Sequence, residues 1–319
     1  MSLNTIPWHS SPWQRIDRAW QSERLPHALL LEGPAGLGKL EFAWRVVRLV
    51  MDLPEPVGHA DAVVPSGADL HYVTLEEDKK QIGVDAVRQL CANLVMTSHS
   101  GGFKVAVISP AETLNTHAAN SLLKTLEEPT PNTLLILVRS RLDTLPATIA
   151  SRCQRIRFVI PQRQVALDWL GNREPGQDWE RLLTLSGGAP LRAVALAEKG
   201  LVDLDRRFQA DLLRLAAGKA DPVAVAAVWK KYDLADCLSW LNIAVTGMIR
   251  AATSGENSCS DDLQILSKSL RLERLFWYLD EVQGASARTR AALTPQLVLE
   301  TLLIPWTGQL EQVQPGAVM

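Results

Sequence analysis

The chain has 319 residues, 47% hydrophobic and 21% charged, and its 33 basic against 35 acidic side chains leave a formal charge of -2. This composition excludes a disordered protein and one that grips nucleic acid alone through a broad positive face. No apolar run reaches the ~18 residues of a membrane-spanning helix, so no membrane partner is expected. At about 150 residues per domain, two or three domains are expected. Met1 to Trp13 has scattered tryptophans and no apolar signal-peptide core. Cys91, Cys153, Cys237 and Cys259 are far apart and form no CxxC pair. That speaks against a disulfide framework and a thiolate zinc site, and for a reducing, cytoplasmic setting.

His27 to Glu32 is a short apolar run ending in glycines and reads as a buried strand. Gly33 to Lys39 is a loop, and Leu40 to Met51 a helix with Phe42, Val46, Val47 and Val50 on its apolar face. Leu53 to Gly67 has no period and reads as loop. Tyr72 to Leu75 suits a strand, Val84 to Met96 a helix and Phe103 to Ile108 a second clear strand. Asn115 to Glu128 is a helix stopping before Pro129, Thr133 to Val138 a strand, Ala147 to Cys153 a short helix or turn, and Ile156 to Ile160 the last strand. Strands alternating with helices predict a parallel sheet covered on both faces. Beyond Pro161 only helices are expected: Gln164–Leu170, Trp179–Leu185, Pro190–Lys199, Arg206–Ala217, Pro222–Trp229, Asp233–Ala252, Asp262–Gln283 and Thr294–Trp306, with a loop at Gly255 to Ser258.

Gly33-Pro34-Ala35-Gly36-Leu37-Gly38-Lys39-Leu40 fits GxxxxGK between a strand and a helix, the context a phosphate-binding loop requires. Gly33, Gly36 and Gly38 let backbone N–H groups turn onto a phosphate, and Lys39 reaches its outer oxygens. The position after Lys39 decides the chemistry. Active loops carry Ser or Thr there to hold magnesium, whereas Leu40 has no oxygen. The strand through Ile108 ends in Ser109 and Pro110, where an ATPase carries Asp-Glu, and Glu112 lies further on. Two magnesium positions are lost together. The expectation is a nucleotide fold that does not hydrolyse and holds ATP or ADP weakly at most.

Ala118-Ala119-Asn120-Ser121-Leu122-Leu123-Lys124-Thr125-Leu126-Glu127-Glu128-Pro129 closely resembles the AANALLKTLEEP segment of bacterial clamp-loader AAA+ subunits. Ser151-Arg152-Cys153 resembles the SRC motif of that family, and Ile82 to Arg88 resembles the segment preceding its second motif strand. With the phosphate loop, the resemblance covers about the first half of the chain. It implies an α/β fold: a P-loop AAA+ parallel-sheet domain over 1–160, a small helical lid over 161–204 and an all-α collar over 205–319. The degenerate magnesium positions point to a non-hydrolysing member rather than the gamma/tau ATPase. The implied role is a stator in a ring with gamma/tau and delta subunits that places the sliding clamp of the DNA polymerase III holoenzyme on primed DNA. No cofactor is required in that role.

The resemblance also implies that Arg152 is an arginine finger, reaching the γ-phosphate of a neighbour's ATP. A guanidinium is always charged and contacts two phosphate oxygens, so it stabilises spreading charge. The bland alternative is a surface ion pair. Glu127 and Glu128 are adjacent on a helix and cannot form a dyad; an interface role or a solvated helix end is expected. Lys124 reads as a solvated lysine. Arg139 stands where ATPases of the family carry a small polar sensor, and a long cation there argues against hydrolysis. Neither Leu191 nor Arg192 is assigned the lid's sensor role. The family's four-cysteine zinc module has no counterpart in Leu53 to Leu70, and His59 and His71 alone cannot close a tetrahedral site. Both read as surface loop, and no zinc is expected. Cys153 reads as a small buried hydrophobe. The ten tryptophans are dispersed and read as core and interface residues rather than a base-stacking platform. A small-molecule P-loop kinase is a third alternative, but it leaves the Leu122–Pro129 and Ser151–Cys153 segments unexplained.

Overall fold

A computed structural model describes residues 6–54, 65, 67–76, 79, 81–98, 101–140, 145–254, 259–288 and 294–307. The strands are β1 (Ala28–Glu32), β2 (Leu70–Thr74), β3 (Lys104–Ser109), β4 (Thr133–Arg139) and β5 (Gln154–Arg157). They form one parallel sheet in the order β2-β3-β4-β1-β5. Around it lie α1 (Ser10–Gln21), α2 (Lys39–Met51), α3 (Val84–Val95), α4 (Thr116–Glu127) and α5 (Ala147–Ala150).

Side chains alternate across a strand, so a strand buried on both faces supplies two cores. Leu29 and Leu31 of β1 join Val105, Val107, Leu134 and Ile136 beneath α1 and α2. Ala28 and Leu30 join Ala106, Ile108, Leu135 and Leu137 beneath α3 and α4. The predicted apolar face of α2, from Phe42 to Val50, is buried in the first of these cores. Asn115 caps α4 by accepting the Ala118 N–H at 2.8 Å. The expected class, α/β with a parallel sheet followed by helices, is the one observed.

Several boundaries differ from the sequence reading. The last strand is Gln154–Arg157 rather than Ile156–Ile160: it is an edge strand with only Ile156 buried, and Val159 and Ile160 lie exposed beyond it. The charged residues around Ile156 hide a strand that pairs on one side alone. His71 lies in β2, half-buried, and is not a surface loop residue. His59 and the expected loop at 255–258 lie outside the described residues, as does most of the loop expected at 53–67. Helix α1 was not expected; Pro12 in its first turn is compatible with a helix start, and Ile16 anchors it in the core.

The later helices are α6 (Arg163–Arg173), α7 (Trp179–Leu185), α8 (Pro190–Glu198), α9 (Leu201–Ala216), α10 (Pro222–Trp229), α11 (Leu234–Ser254), α12 (Asp261–Ser269), α13 (Leu272–Arg288) and α14 (Pro295–Leu303). The helix expected over Asp262–Gln283 is two, broken at Leu270 and Arg271. Helix α9 starts at Leu201, so it runs through the boundary expected at 204. By contacts the chain forms two units, Met1–Pro175 with Gly188–Arg192, and Gly176–Gly187 with Ala193–Met319.

The second unit packs its own core, in which Phe208 stacks on Trp229 and meets Trp240 edge-on. Buried tryptophans need acceptors for their N–H groups. Trp229 donates to Asp211 at 3.0 Å, Trp306 to the Leu212 carbonyl at 2.9 Å and Trp240 to Asp205 at 2.6 Å. Trp277 is 46% exposed. Buried Asp205 also accepts two bonds from Arg181, at 2.6 and 2.7 Å, and one from Gln209. Asp205→Ala should destabilise this unit by about 3–5 kcal/mol, because it strands a guanidinium and an indole N–H. Urea unfolding followed by tryptophan fluorescence measures it; Asp205→Asn, which keeps an acceptor, should lose less.

Candidate functional site

The glycine loop leaves the C-terminal end of β1, between β4 and β5, where the strand order reverses. Ligands of open parallel sheets bind at such switch points. The loop is tight: a Cβ on Gly33 would lie 2.2 Å from the Phe158 carbonyl oxygen, and one on Gly36 would lie 2.5 Å from the Cβ of Arg192. Both glycines have positive φ, so no other residue suits them. Lys39 is the first residue of α2 and is buried. Its ammonium donates to the Pro34 carbonyl of its own loop at 2.6 Å. Burial pushes its pKa down to about 8, against the opposing influence of the Glu112 and Glu41 carboxylates.

Leu37 closes the loop from the other side. Its carbonyl accepts the Trp8 indole N–H at 2.9 Å and a hydrogen bond from His9 Nε2 at 2.7 Å. A carbonyl only accepts, so Nε2 carries the proton. His9 is buried edge-on against Phe42 and Phe158. Burial pushes its pKa down to about 4, with the Leu37 bond opposing and Arg45 adding to the shift. The Leu191 N–H donates to the Gly36 carbonyl at 3.0 Å.

The loop offers a cation for a phosphate, but the position after Lys39 lacks the hydroxyl that holds magnesium in active loops. Leu40, in the first turn of α2, packs against the core and offers no side-chain oxygen. Ser109 ends β3. Glu112 accepts the Ser140 N–H at 3.0 Å through one oxygen, and the other is buried with no hydrogen-bond partner. Arg139 does not stand free over the loop: it is buried and bonded to Glu32 at 2.5 Å. Glu32 also accepts from Arg157 at 3.0 Å. Burial alone would push the Glu32 carboxyl up, but the two guanidinium bonds hold it below the usual carboxylate range.

Arg152 follows α5 on another part of this unit. Its Nη1 donates to the Thr148 carbonyl at 2.9 Å, and its Nη2 lies 2.6 Å from Oε1 of Glu127, the last residue of α4. The two side chains are 37% and 49% exposed. Lys124 and Glu128 are exposed. Cys153 is buried and its thiol is pushed up to about 11, so it is not a nucleophile.

A family model described as DNA polymerase III, delta subunit, matches residues 8–162. The DNA polymerase III subunit delta' of Pseudomonas aeruginosa is 31% identical over 95% of this chain and 97% of its own length. The chain belongs to the DNA polymerase III subunit delta' family. The delta' subunit of Escherichia coli is 34% identical over 61% of each chain. A DNA polymerase III gamma subunit-related protein from Thermotoga maritima shares 18% identity at a TM-score of 0.49, covering 91% of this chain and 98% of its own.

In this delta' family chain the structure gathers Gly33, Gly36, Gly38 and Lys39 into one loop and leaves Arg152 apart from it. Trp8 and His9 were missed in the sequence, where the only signal was the aromatic density ahead of the first strand. The unfolded chain protonates His9 near pH 6.5 and the fold only near 4. Between these values the unfolded state binds more protons, so stability falls as pH drops from 6.5 to 4 and is unaffected by His9 above that window. The gap corresponds to roughly 3 kcal/mol. Denaturant unfolding across that range should show the slope in wild type. His9→Gln, which keeps a donor for Leu37, should flatten it.

Proposed function

We propose that this chain is a clamp-loader subunit that does not hydrolyse ATP itself and completes the site of a neighbouring ATPase with Arg152. Its partners in this reading are gamma/tau and delta subunits, the sliding clamp and, through the assembled ring, primed DNA in the cytoplasm. The observation that carries it is the contrast between its two candidate sites. The loop has a lysine and turned amides for a phosphate but, with Leu40 after the lysine and Ser109-Pro110 at the end of β3, lacks the hydroxyl and the Asp-Glu pair of an ATPase. Arg152, by contrast, keeps a partly exposed guanidinium within a stretch that resembles the SRC motif. Catalysis in trans needs only that group, because positioned charge is what phosphoryl transfer requires of the protein. Lys39 and the loop glycines then hold ATP or ADP weakly, or serve the fold alone. The N-terminal sheet unit, a short helical lid and a helical collar supply the stator.

The test is ATP turnover by the reconstituted loader with clamp and primed DNA, comparing wild type with Arg152→Ala. The isolated chain should not turn over ATP. A finger is worth ~10³–10⁵ in rate at its own site. The whole ring should lose less, because its other sites keep their own fingers. Turnover by the isolated chain would restore the reading of an active gamma/tau-type ATPase. Unchanged turnover with Arg152→Ala would leave a structural stator.

A further inference from the structure

We propose that Glu127 is a latch in cis on Arg152, occupying the guanidinium until a neighbour's phosphate displaces it. The inference rests on the reading of Arg152 as a finger, and it assigns Glu127 as a positioning residue acting through that arginine. Glu127 Oε1 lies 2.6 Å from Nη2, and the Thr148 carbonyl takes Nη1. A carboxylate and a phosphate use the same charge-assisted bonds to a guanidinium. Two anions on that group would also repel each other, so one excludes the other.

The backbone on both sides is fixed. The end of α4 is tied to the sheet by His27, whose Nε2 donates to the Leu126 carbonyl at 3.0 Å. The Arg152 N–H donates to the Ile149 carbonyl at 3.0 Å, and neighbouring Cys153 is buried. Only the two side chains need move. The position of Glu127 also asks for a reason. An acid at the last residue of a helix faces the negative end of the helix dipole, which disfavours it. Its one ion-pair partner among the described residues is Arg152.

Exposure sets the strength of the latch. A pair this open to water is screened and holds by a factor of about two to five. That is enough to keep the arginine folded back in the free subunit. It is too little to resist a phosphate bearing more charge than a carboxylate.

The experiment uses the reconstituted loader with ATP, clamp and primed DNA, and compares wild type, Glu127→Gln, Arg152→Ala and the double variant over a salt series. Glutamine keeps the size of glutamate and one acceptor oxygen, and removes its charge. Glu127→Gln should raise kcat/KM for ATP about two- to five-fold at the site Arg152 serves, and that of the whole loader by a smaller factor, at low salt. The gap should close as salt screens the pair in wild type. In the Arg152→Ala background the same change should do nothing. Glu127 acting merely as a structural support would lower the rate on substitution, and that sign overturns the latch. Equal rates for Glu127→Gln and wild type at low salt, with Arg152→Ala still impaired, overturn the latch and leave the finger standing. No loss with Arg152→Ala removes the finger and the latch together.

Discussion

The carboxylate of Glu32 lies at the end of β1, buried between Arg139 of β4 and Arg157 of β5. The register places all three residues side by side across the sheet. A buried ion pair is a poor source of net stability, because an apolar replacement avoids the desolvation cost. Its effect here is geometric. It aligns the C-terminal ends of three strands at the point where Gly33 must pass close to the Phe158 carbonyl. A slip of β5 against β1 would break the Arg157 bond and close that passage. The glycine loop, Lys39 and the start of α2 all follow from where Glu32 is held.

From that fixed point the loop turns inward on itself. Lys39 donates to Pro34, and Leu37 accepts from Trp8 and His9. These contacts keep the loop's shape, while Leu40 packs, partly buried, against the core. A lysine pushed down to about 8 is still largely charged at neutral pH and can donate to an anion. The loop therefore keeps a cation, while the position after it has a hydrocarbon in place of the hydroxyl that holds magnesium in an active loop.

Much of this was legible in the sequence, for physical reasons that differ by element. The apolar runs of β1, β3 and β4 stand out because those strands are buried on both faces. β5 did not, since an edge strand with one buried residue carries no such run. The loop was legible because only glycine tolerates its geometry. The His9–Leu37 contact was not, because it joins a side chain to a backbone carbonyl 28 residues away, and backbone carbonyls leave no mark on sequence. The role of Arg139 was half legible: its position was noted, but its pairing with Glu32 spans 107 residues and needs the strand order to be known. For the same reason Glu127 and Arg152 could each be singled out without showing that they meet.

Those two arginines carry the same chemistry with opposite consequences. Arg139 and Glu32 are 6% and 3% exposed; Arg152 and Glu127 are 37% and 49% exposed. In the interior, losing one partner leaves an uncompensated charge, at a cost of about 3–5 kcal/mol. At the surface, water and salt stand in for the missing partner, and the pair is worth about 0–1 kcal/mol. Burial thus makes the first pair permanent and the second exchangeable. Only the second arginine is able to change partners on the timescale of side-chain motion. On the proposed reading of Arg152, a subunit that acts on a neighbour needs such an exchangeable group, and the chemistry of its own phosphate loop places no limit on it.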